Sequence, residues 1–455
     1  MNFPLSRKQI AILLLFIALV AGRLSLTGII AAQPEVALYP DSTGYLFLAD
    51  RLLNGEGLHG DGNSSIDLQR TPGYPIFLAG VFSLFGDKAY PAVVCIQLAM
   101  GVFVALGLFL LGRRYFRASV GIAAAALYLL IPNVILWSLA LLTDVLFSLV
   151  LIAAFLPLAA FIQSENIWMA GLSGLLLGMA ALIRPLASMM VLLWTILLIG
   201  RGWIAKHPFK KTLAAVGIFL AGAGLVMGIW VGRNVIVWDR AMLSSISTWN
   251  LGHYMAPSAL ARALGISLED ARTMIPTTRI PQPGERGRYI AILLQYPLDA
   301  IAAHLHGVRL TLTEAGRPNY AQLLGVSSIA SGVVSALKAF DFRPALEKFL
   351  EALRDPALRF VFPALAFSLF VQAFSYLGAV AGTVRMLRSR ILHLRWLAVF
   401  MFLTAAALIF LPGSVGNSRF RVPAEAFLTM LAVVGIMGVQ AQKDTPMLEE
   451  ERREE

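Results

Sequence analysis

The sequence predicts an all-α protein that crosses a membrane many times, and three observations support this fold class. Hydrophobic residues make up 58% of the 455 residues and charged residues only 14%, whereas soluble domains carry roughly a quarter charged residues. Apolar runs that could cross a bilayer core of about 30 Å as helices recur along the chain. Basic residues concentrate in the short loops between these runs, as in cytoplasmic loops of membrane proteins. The net charge of +11 therefore reflects topology and does not indicate nucleic-acid binding.

About ten apolar runs fit the length of a membrane-spanning helix. We predict spans at residues 9–31, 91–112, 118–133, 144–162, 167–183, 186–200, 212–232, 358–384, 396–412 and 424–441. The loops that contain Arg113, Arg201 and Arg385 fall on one side of the membrane, which we assign to the cytoplasm. We expect a multi-pass protein of the cell inner (plasma) membrane. The first run is interpreted as a retained helix, because Ile30-Ala31-Ala32 is a poor cleavage site for a signal peptide.

The spans divide the chain into four parts. They are a membrane module, a large extracytoplasmic loop region, the C-terminal spans and an acidic cytoplasmic tail, at residues 1–232, 233–357, 358–441 and 442–455. Outer juxtamembrane helices are expected in the first outer loop, residues 32–90. In the larger loop, the apolar spacing predicts two helices on the membrane surface, separated at Pro297. Residues 321–340 are interpreted as a third interfacial helix, with an eleventh span as the alternative.

Several charged residues share the predicted outer face. They comprise two carboxylates and five arginines, Asp41, Asp144, Arg70, Arg184, Arg233, Arg419 and Arg421. Charges within a membrane domain are costly and often functional, although arginines at helix ends also serve as interface anchors. Arginines bind phosphate oxygens through charge-assisted hydrogen bonds, and a carboxylate can accept a proton from an attacking hydroxyl. The two carboxylates and the arginines together suit a reaction in which a hydroxyl attacks a carbon atom while a phosphate leaves that carbon.

Motifs along the chain resemble those of a known family. "YPDSTGYLFLADRLLNGEGL" at 39–58 and "RTPGYP" at 70–75 resemble the first outer loop of GT-C membrane glycosyltransferases. The resemblance is to bacterial members of the protein-mannosyltransferase and aminoarabinose-transferase superfamily. "LLTDVLFSLVL" at 141–151, "IRP" at 183–185 and "SRFRVP" at 418–423 resemble later segments of the same family, as do "GRN" and "TWNLG" around the end of the seventh span.

The resemblance implies transfer of a sugar from a polyprenyl-phosphate donor to an acceptor hydroxyl outside the cytoplasm, with inversion at the anomeric carbon. It implies Asp41 as the general base, Asp144 as a second catalytic carboxylate, and the five arginines as ligands of the donor phosphate. Substrate contacts are expected from Tyr45, Tyr74, Trp249 and Asn250. No cofactor is firmly required, and a divalent metal held by the two carboxylates stays open. The expected partners are the lipid-linked donor, a glycan, lipid or protein acceptor, and the bilayer.

Other interpretations compete with each of these assignments. Asp41 precedes a helix-like segment and would suit a helix N-cap, and Asp144 would suit the first turn of a helix. Arg23 within the first span and Glu165 between two spans are interpreted as structural. A polymerase or ligase of lipid-linked glycans would use similar chemistry. A secondary transporter or flippase would place polar residues near the bilayer midplane in two related halves, a pattern that the sequence does not display.

Overall fold

A computed structural model describes residues 6–58, 66–278, 280–323, 343, 347, 350, 354 and 361–439. Within these ranges the regular structure is entirely helical, with no β-strand. The all-α fold class is therefore confirmed for this part of the chain. The acidic tail at 442–455 and most of the segment 321–340 lie outside the described residues.

The helices are, in chain order, α1 (Arg7–Ser25), α2 (Thr27–Ala32), α3 (Ser42–Leu53), α4 (Ile66–Gln69), α5 (Gly73–Phe85), α6 (Tyr90–Tyr115), α7 (Ala118–Leu130), α8 (Pro132–Ser138), α9 (Asp144–Ser164), α10 (Ile167–Ile183), α11 (Ala187–Ile204), α12 (Phe209–Trp238), α13 (Ile246–Asn250), α14 (Ala256–Leu264), α15 (Leu268–Met274), α16 (Glu285–Gln295), α17 (Pro297–Thr313), α18 (Arg317–Leu323), α19 (Val361–Leu387), α20 (Leu392–Phe410) and α21 (Val422–Met437). Short 3₁₀ turns cover Pro34–Ala37, Gly413–Val415 and Ser418–Arg421.

Eight helices in the described ranges are long and apolar enough to cross a membrane, or nine if a bent pair forms one span. The ten predicted spans correspond to these eight helices, to the bent pair α7–α8 and to the shorter apolar helix α10. The structure also contains the helices expected in the first outer loop, α3 and α5, and the two helices expected on either side of Pro297, α16 and α17.

The bent pair departs from the straight span predicted at 118–133. The axes of α7 and α8 differ by 56°, and the break lies at Ile131, directly before Pro132. A proline within a helix removes a backbone hydrogen bond and its ring clashes with the preceding turn. The apolar composition of this run predicted a helix, which α7 confirms, but the chain bends before the proline, and α8 lies mostly beyond the predicted end at 133.

The two ends of the bundle differ in charge. At one end, basic residues at and just after the end of α6 contact the ends of two other helices. Arg117 Nη2 donates to Met437 O in α21 at 2.8 Å, and Arg114 Nε donates to Gln163 Oε1 in α9 at 3.1 Å. Helix α9 begins at the opposite end with Asp144 and ends beside this basic end at Ser164. Helix α21 lies at the centre of the bundle, since 83% of the residues in the apolar stretch of this last span are buried. In the apolar stretch of the first span, only 6% of the residues are buried.

Glycines let α10 and α12 approach closely. A Cβ atom on Gly222 would lie 2.4 Å from Gly171 O, and one on Gly174 would lie 1.9 Å from Phe219 O. Small residues allow such contacts between helices in membranes, where packing replaces the hydrophobic effect as the main attraction.

We expect Gly222→Ala to lower the thermal midpoint of the protein in detergent, because overpacking typically costs about 1–3 kcal/mol. Gly224→Ala is the matched control, since a Cβ on Gly224 would meet nothing within 4 Å and alanine favours helix more than glycine does. Thermal denaturation of both variants checks the packing, and equal midpoints would contradict it.

Candidate active site

Five charged side chains of alternating sign form a continuous chain at the end of the bundle opposite the basic loops. Arg70 Nη2 donates to Asp41 Oδ1 at 2.7 Å, and Arg419 Nη1 donates to Asp41 Oδ2 at 2.7 Å. Arg419 Nε lies 3.4 Å from Asp144 Oδ2, and Arg184 Nη1 donates to Asp144 Oδ1. We call Arg70, Asp41, Arg419, Asp144 and Arg184 the charge chain. It joins both predicted catalytic carboxylates to three predicted phosphate ligands.

Each member of the charge chain stands where a helix begins or ends. Asp41 precedes α3, Arg70 follows α4, Asp144 opens α9, Arg184 follows α10, and Arg419 lies in the turn before α21. Backbone groups close to helix ends lack intrahelical partners, so these positions can be wet and polar while the helix middles stay apolar. The sequence thus places charges at the boundary of the apolar bundle rather than within it.

Backbone contacts fix the Asp41 segment against the approach to α9. Leu141 N donates to Ala37 O at 2.9 Å, and Ser42 Oγ donates to Leu141 O at 3.0 Å. Ser42 Oγ also accepts from Tyr39 N at 3.0 Å. These bonds hold the backbone on both sides of Asp41, so its position relative to Asp144 is set by the fold and not only by the arginines.

The two carboxylates differ in accessibility. The Asp41 side chain is 37% exposed, whereas the Asp144 side chain is fully buried at 0%. Both Asp144 oxygens face arginines, so Asp144 is enclosed as a counter-ion of Arg184 and Arg419. Asp41 is the carboxylate of the charge chain that an incoming hydroxyl can reach.

The arginines hold Asp41 in its ionised form. Burial would raise the pKa of the Asp41 carboxyl, but the charges and hydrogen bonds of Arg419 and Arg70 outweigh it and bring this pKa well below its usual range. The carboxylate is therefore ready to accept a proton, but it is a weak base while both arginines remain bound to it.

The Asp41 side chain does not cap helix α3 in the structure. Asp41 occupies the N-cap position of α3 but makes no side-chain capping hydrogen bond. Its carboxylate is directed to Arg70 and Arg419 instead. Asp144 does lie in the first turn of α9, so it combines a favourable helix-terminus position with its two ion pairs.

Aromatic rings line the arginines. The guanidinium carbon of Arg70 lies 4.8 Å from the ring centroid of Tyr45, and Arg70 Nη1 donates to Tyr45 Oη at 3.4 Å. Phe420 lies between two arginines, 5.2 Å from the guanidinium carbon of Arg184 and 5.4 Å from that of Arg419. Such cation–π contacts favour planar stacking and restrict the movement of the guanidinium groups. Phe420 was not predicted as a site residue, although its place between two arginines in the sequence was a signal.

Tyr74 supports this wall from behind. It is fully buried, its ring meets Tyr45 edge-on at 5.1 Å, and its hydroxyl donates to Gln97 Oε1 at 2.8 Å. The structure places Tyr74 in a supporting position, because its ring is enclosed by protein, and its expected substrate contact stays a prediction. Gln97 was missed by sequence reasoning, and its signal was a lone amide within the apolar run of α6.

The side chain of Arg421 points away from the charge chain. Arg421 Nε donates to Glu425 Oε1 at 2.6 Å, and Arg421 Nη1 donates to Thr311 O and Leu312 O at 2.7 and 3.1 Å. Residues two apart in a 3₁₀ turn of three residues per turn point in different directions, which separates Arg421 from Arg419. In this structure Arg421 caps the C-terminus of α17, and its expected phosphate role stays a prediction.

Arg233 also lies outside the charge chain. Helix α12 continues past the predicted end of the span at 232 to Trp238, so Arg233 lies within a helix. Its guanidinium donates to Leu58 O and, at 2.7 Å, to Asn234 Oδ1. The Arg233 side chain, expected to bind phosphate, therefore connects α12 to the first outer loop in this structure.

Trp249 and Asn250 lie in α13, which is attached beside Arg70. Ser245 N donates to Leu68 O at 3.0 Å, just before Arg70 in the chain. The Trp249 ring stacks on the ring of His253 with centroids 4.9 Å apart. The chain continues as a π-helix at Leu251–Met255, a conformation that often occurs at functional sites. Substrate contacts of Trp249 and Asn250 remain a prediction.

The charge chain does not fit a divalent metal. Across the part of the chain that the structure describes, no group of three or more His, Cys, Asp or Glu residues could hold a metal ion. Between the two carboxylates, the guanidinium of Arg419 already lies within ion-pair distance of each. A cation placed there would be repelled by this charge.

An apolar cavity of about 570 Å³ opens beside the same end of the bundle. Its lining includes Leu312, Tyr376, Val380, Phe402 and Phe410. Leu312 O accepts from Tyr376 Oη at 2.9 Å and also from the guanidinium of Arg421. Val380, Phe402 and Phe410 are exposed at the surface of the helices, so the cavity opens to the apolar side of the bundle.

The chain is similar to known membrane glycosyltransferases. The family model described as "Dolichyl-phosphate-mannose-protein mannosyltransferase" matches residues 69–230. This match confirms, over that segment, the predicted resemblance to GT-C, protein-mannosyltransferase-like glycosyltransferases. The segment contains Arg70, Asp144 and Arg184. None of the curated proteins compared with the chain matches it.

Two solved structures of an archaeal oligosaccharyltransferase from Archaeoglobus fulgidus were also matched. One, named AglB, is in complex with an inhibitory peptide and a dolichol-phosphate; the TM-score is 0.48 at 11% identity, over 92% of this chain and 50% of that chain. The other is tethered with an acceptor peptide that contains the NVT sequon; the TM-score is 0.45 at 12% identity, over 92% of this chain and 49% of that chain. This chain thus spans about half the length of each.

We expect Asp144→Asn to destabilise the protein strongly, because it leaves Arg184 and Arg419 facing a neutral group in a buried site. Removing one partner of a buried ion pair typically costs about 3–5 kcal/mol. Glu56→Gln is the control, since Glu56 pairs with Arg51 at 3.2 Å but is 54% exposed, and exposed pairs contribute little. Thermal denaturation of both variants in detergent compares them. A loss of stability no larger for Asp144→Asn than for Glu56→Gln would contradict the buried counter-ion role.

Proposed function

We propose that this protein is a membrane glycosyltransferase that transfers a sugar from a polyprenyl-phosphate donor to an acceptor hydroxyl, with Asp41 as the general base. The observation that carries the proposal is the sharing of one accessible carboxylate, Asp41, by Arg70 and Arg419. A base and two phosphate-binding groups then stand next to each other, as the reaction requires. The family match over residues 69–230 supports the same class of reaction.

The donor phosphate would bind at Arg70, Arg419 and Arg184. Three guanidinium groups against the two carboxylates of the charge chain leave one net positive charge, which favours an anion. Arg70 Nε and Arg184 Nη2 are buried without an acceptor among the described residues. A buried donor without a partner costs about 1–3 kcal/mol, so phosphate oxygens that reached these groups would be stabilised.

Donor binding would also release Asp41. A phosphate bound to the same guanidinium groups as the Asp41 carboxylate would share their positive charge with it and would add a negative charge nearby. As the arginines turn to the phosphate, the pKa of Asp41 rises towards its ordinary value and its carboxylate becomes a better base. The base would thus be strongest when the donor is in place.

The reaction then involves one bond formed and one broken at the anomeric carbon. The acceptor hydroxyl gives its proton to the Asp41 carboxylate while its oxygen bonds to the anomeric carbon on the face opposite the phosphate. The bond from that carbon to the phosphate oxygen breaks, and polyprenyl phosphate leaves with the bonding electron pair. The arginines stabilise the charge that develops on the leaving phosphate.

The apolar cavity beside α17 is the place that we assign to the isoprenoid tail. Its lining is apolar and it opens towards the surface of the helices. Arg421 donates to Leu312 O in its lining, and Arg419 of the charge chain is two residues earlier in the sequence. A tail in this cavity would therefore lie beside the 3₁₀ turn Ser418–Arg421, which carries Arg419.

One experiment tests the proposed class directly. Purified protein is incubated with a panel of polyprenyl-phosphate sugars and acceptors, and release of polyprenyl phosphate is followed by mass spectrometry. Donor-dependent release together with a glycosylated acceptor supports the proposal. Movement of a lipid or sugar across proteoliposome membranes without any new glycosidic bond would support a transporter or flippase and refute it. Extension of a lipid-linked glycan would identify a polymerase or ligase of the same chemistry.

We expect Asp41→Asn to lower the transfer rate by about 10²- to 10⁴-fold, the usual contribution of a general base, while the protein still inserts in the membrane. Asp50→Asn is the matched control, because Asp50 lies on α3 and is exposed. Initial rates at saturating donor and acceptor check this expectation. A rate for Asp41→Asn equal to that of the control would remove Asp41 from the mechanism.

We expect Arg70→Gln to move the acid limb of kcat/KM to higher pH. Wild-type Asp41 has a lowered pKa and stays ionised until the pH falls far, so its basic form is lost only in strong acid. With Arg70 removed, one of the two causes of the lowered pKa disappears, and protonation begins at higher pH. Profiles of kcat/KM from about pH 8 down into strong acid, as far as both proteins stay folded, report the free enzyme.

Arg286→Gln is the control for this profile, because Arg286 is exposed on α16. The Arg70 variant should also show a raised donor KM, as one phosphate ligand is lost. An acid limb at the wild-type position in Arg70→Gln would mean that Asp41 is not the group that titrates.

A further inference from the structure

Arg23 is a buried charge within the first membrane-spanning helix. The side chain is 3% exposed, although α1 is otherwise at the edge of the bundle. Its hydrogen bonds run to two neutral groups, from Nη1 to Leu129 O at 3.3 Å and from Nη2 to Ser138 Oγ at 3.1 Å. A charge at membrane depth is expensive and is rarely kept without a function.

The two acceptors of Arg23 lie on opposite sides of the break between α7 and α8. Leu129 is in the last turn of α7, and Ser138 is the last residue of α8. Pro132 cannot supply a backbone N–H at the break, so carbonyl groups there need other donors. Ser138 Oγ in turn donates to Val134 O at 2.6 Å. The guanidinium therefore connects both arms of the bent pair.

Helix α8 contacts the segment of Arg419. Asn133 Nδ2 donates to Ser418 O at 3.0 Å, and Trp137 Nε1 donates to Ser418 Oγ at 3.0 Å. Ser418 directly precedes Arg419, which binds Asp41 and Asp144. A change in the direction of α8 would therefore displace the turn that carries this arginine.

Helix α8 also supports the wall behind Arg70. Ser138 O accepts from Gln97 Nε2 at 3.0 Å, and Gln97 Oε1 accepts from Tyr74 Oη at 2.8 Å. Tyr74 packs against Tyr45, and Tyr45 lies under the guanidinium of Arg70. A continuous series of contacts thus runs from the end of α8 to the second arginine of Asp41.

We propose that Arg23 is a positioning residue that sets the bend between α7 and α8 and thereby holds Arg70 and Arg419 on either side of Asp41. The role depends on the proposed function only in that these two arginines bind the donor phosphate. It goes beyond a general packing role because both contact series start from the helix that Arg23 ties down.

Gly101 provides an independent way to disturb Arg23. A Cβ atom on Gly101 would lie 2.5 Å from Arg23 Nη2, so Gly101→Ala must displace the guanidinium without removing any polar group. Gly101→Ala and Arg23→Gln should therefore have the same kind of effect, whereas Arg23→Lys keeps the charge and can reach one acceptor. Arg7→Gln is the control, because Arg7 is exposed at the start of the same helix.

The test measures two quantities in these variants. Hydrogen exchange followed by mass spectrometry reports on residues 132–142, which include α8, with 167–183 in α10 as the reference region. Steady-state kinetics give kcat and the KM for the polyprenyl-phosphate sugar. We expect Arg23→Gln and Gly101→Ala to increase exchange at 132–142 only and to raise the donor KM by about tenfold, equivalent to the loss of one hydrogen bond to a charged group. Arg23→Lys should recover part of both effects, and Arg7→Gln should match wild type.

Several results would overturn the inference. Unchanged exchange at 132–142 would show that Arg23 does not hold α8, and an equal increase in both regions would show general destabilisation instead. A wild-type donor KM together with increased exchange at 132–142 would show that α8 does not position the arginines, and would refute the positioning role. If Arg23→Gln does not fold, Gly101→Ala and Arg23→Lys decide between these results. The exchange measurement does not need transfer, so a wild-type protein without transferase activity would refute the proposed function while exchange still tests Arg23.

Discussion

The carboxylate of Asp41, shared by two guanidinium groups, sets the main requirement that the rest of the structure meets. Arg70 and Arg419 come from segments far apart in the chain, and both must arrive within hydrogen-bond distance of one side chain. Charges of like sign at this boundary would repel each other strongly in surroundings of low dielectric constant. The alternation of sign through Asp144 to Arg184 removes this repulsion. The bundle can therefore concentrate five charges at one place with each of them beside a charge of opposite sign, and one net positive charge remains.

The two carboxylates differ in their surroundings. Asp144 is enclosed and keeps Arg184 and Arg419 in place, while Asp41 is open to one side. An enclosed carboxylate can orient the charged groups around it. An open carboxylate held by the same arginines can be released when another anion competes for them. In the proposed reaction the donor would thus both occupy the site and switch on its base, so an acceptor that arrives first would meet a weak base.

The sequence was sufficient to predict the helical bundle, the end of it where the charges collect, and three of the arginines at Asp41 and Asp144. Hydropathy and the positions of basic loops depend on composition within short windows, which a sequence displays directly. The contact of Asp41 with Arg419 joins residues 378 positions apart, and the residues next to either of them in the sequence do not indicate that the two side chains meet. The direction of Arg421 depended on the 3₁₀ turn Ser418–Arg421, and the position of Arg233 on where α12 ends. Tyr74 was predicted at the site, but only packing could show that its ring is enclosed.

Helix α9 carries an ion pair at each of its two ends. Asp144 at its start binds Arg184, and Glu165 directly after its end binds Arg201 at 3.1 Å. The 21 residues of this helix measure roughly 31 Å at about 1.5 Å per residue, close to the thickness of a bilayer core. The length of α9 therefore matches the distance between the two lipid headgroup layers. In a membrane much thinner or thicker than this length, the charge chain at the start of α9 would lie away from the depth of the lipid headgroups.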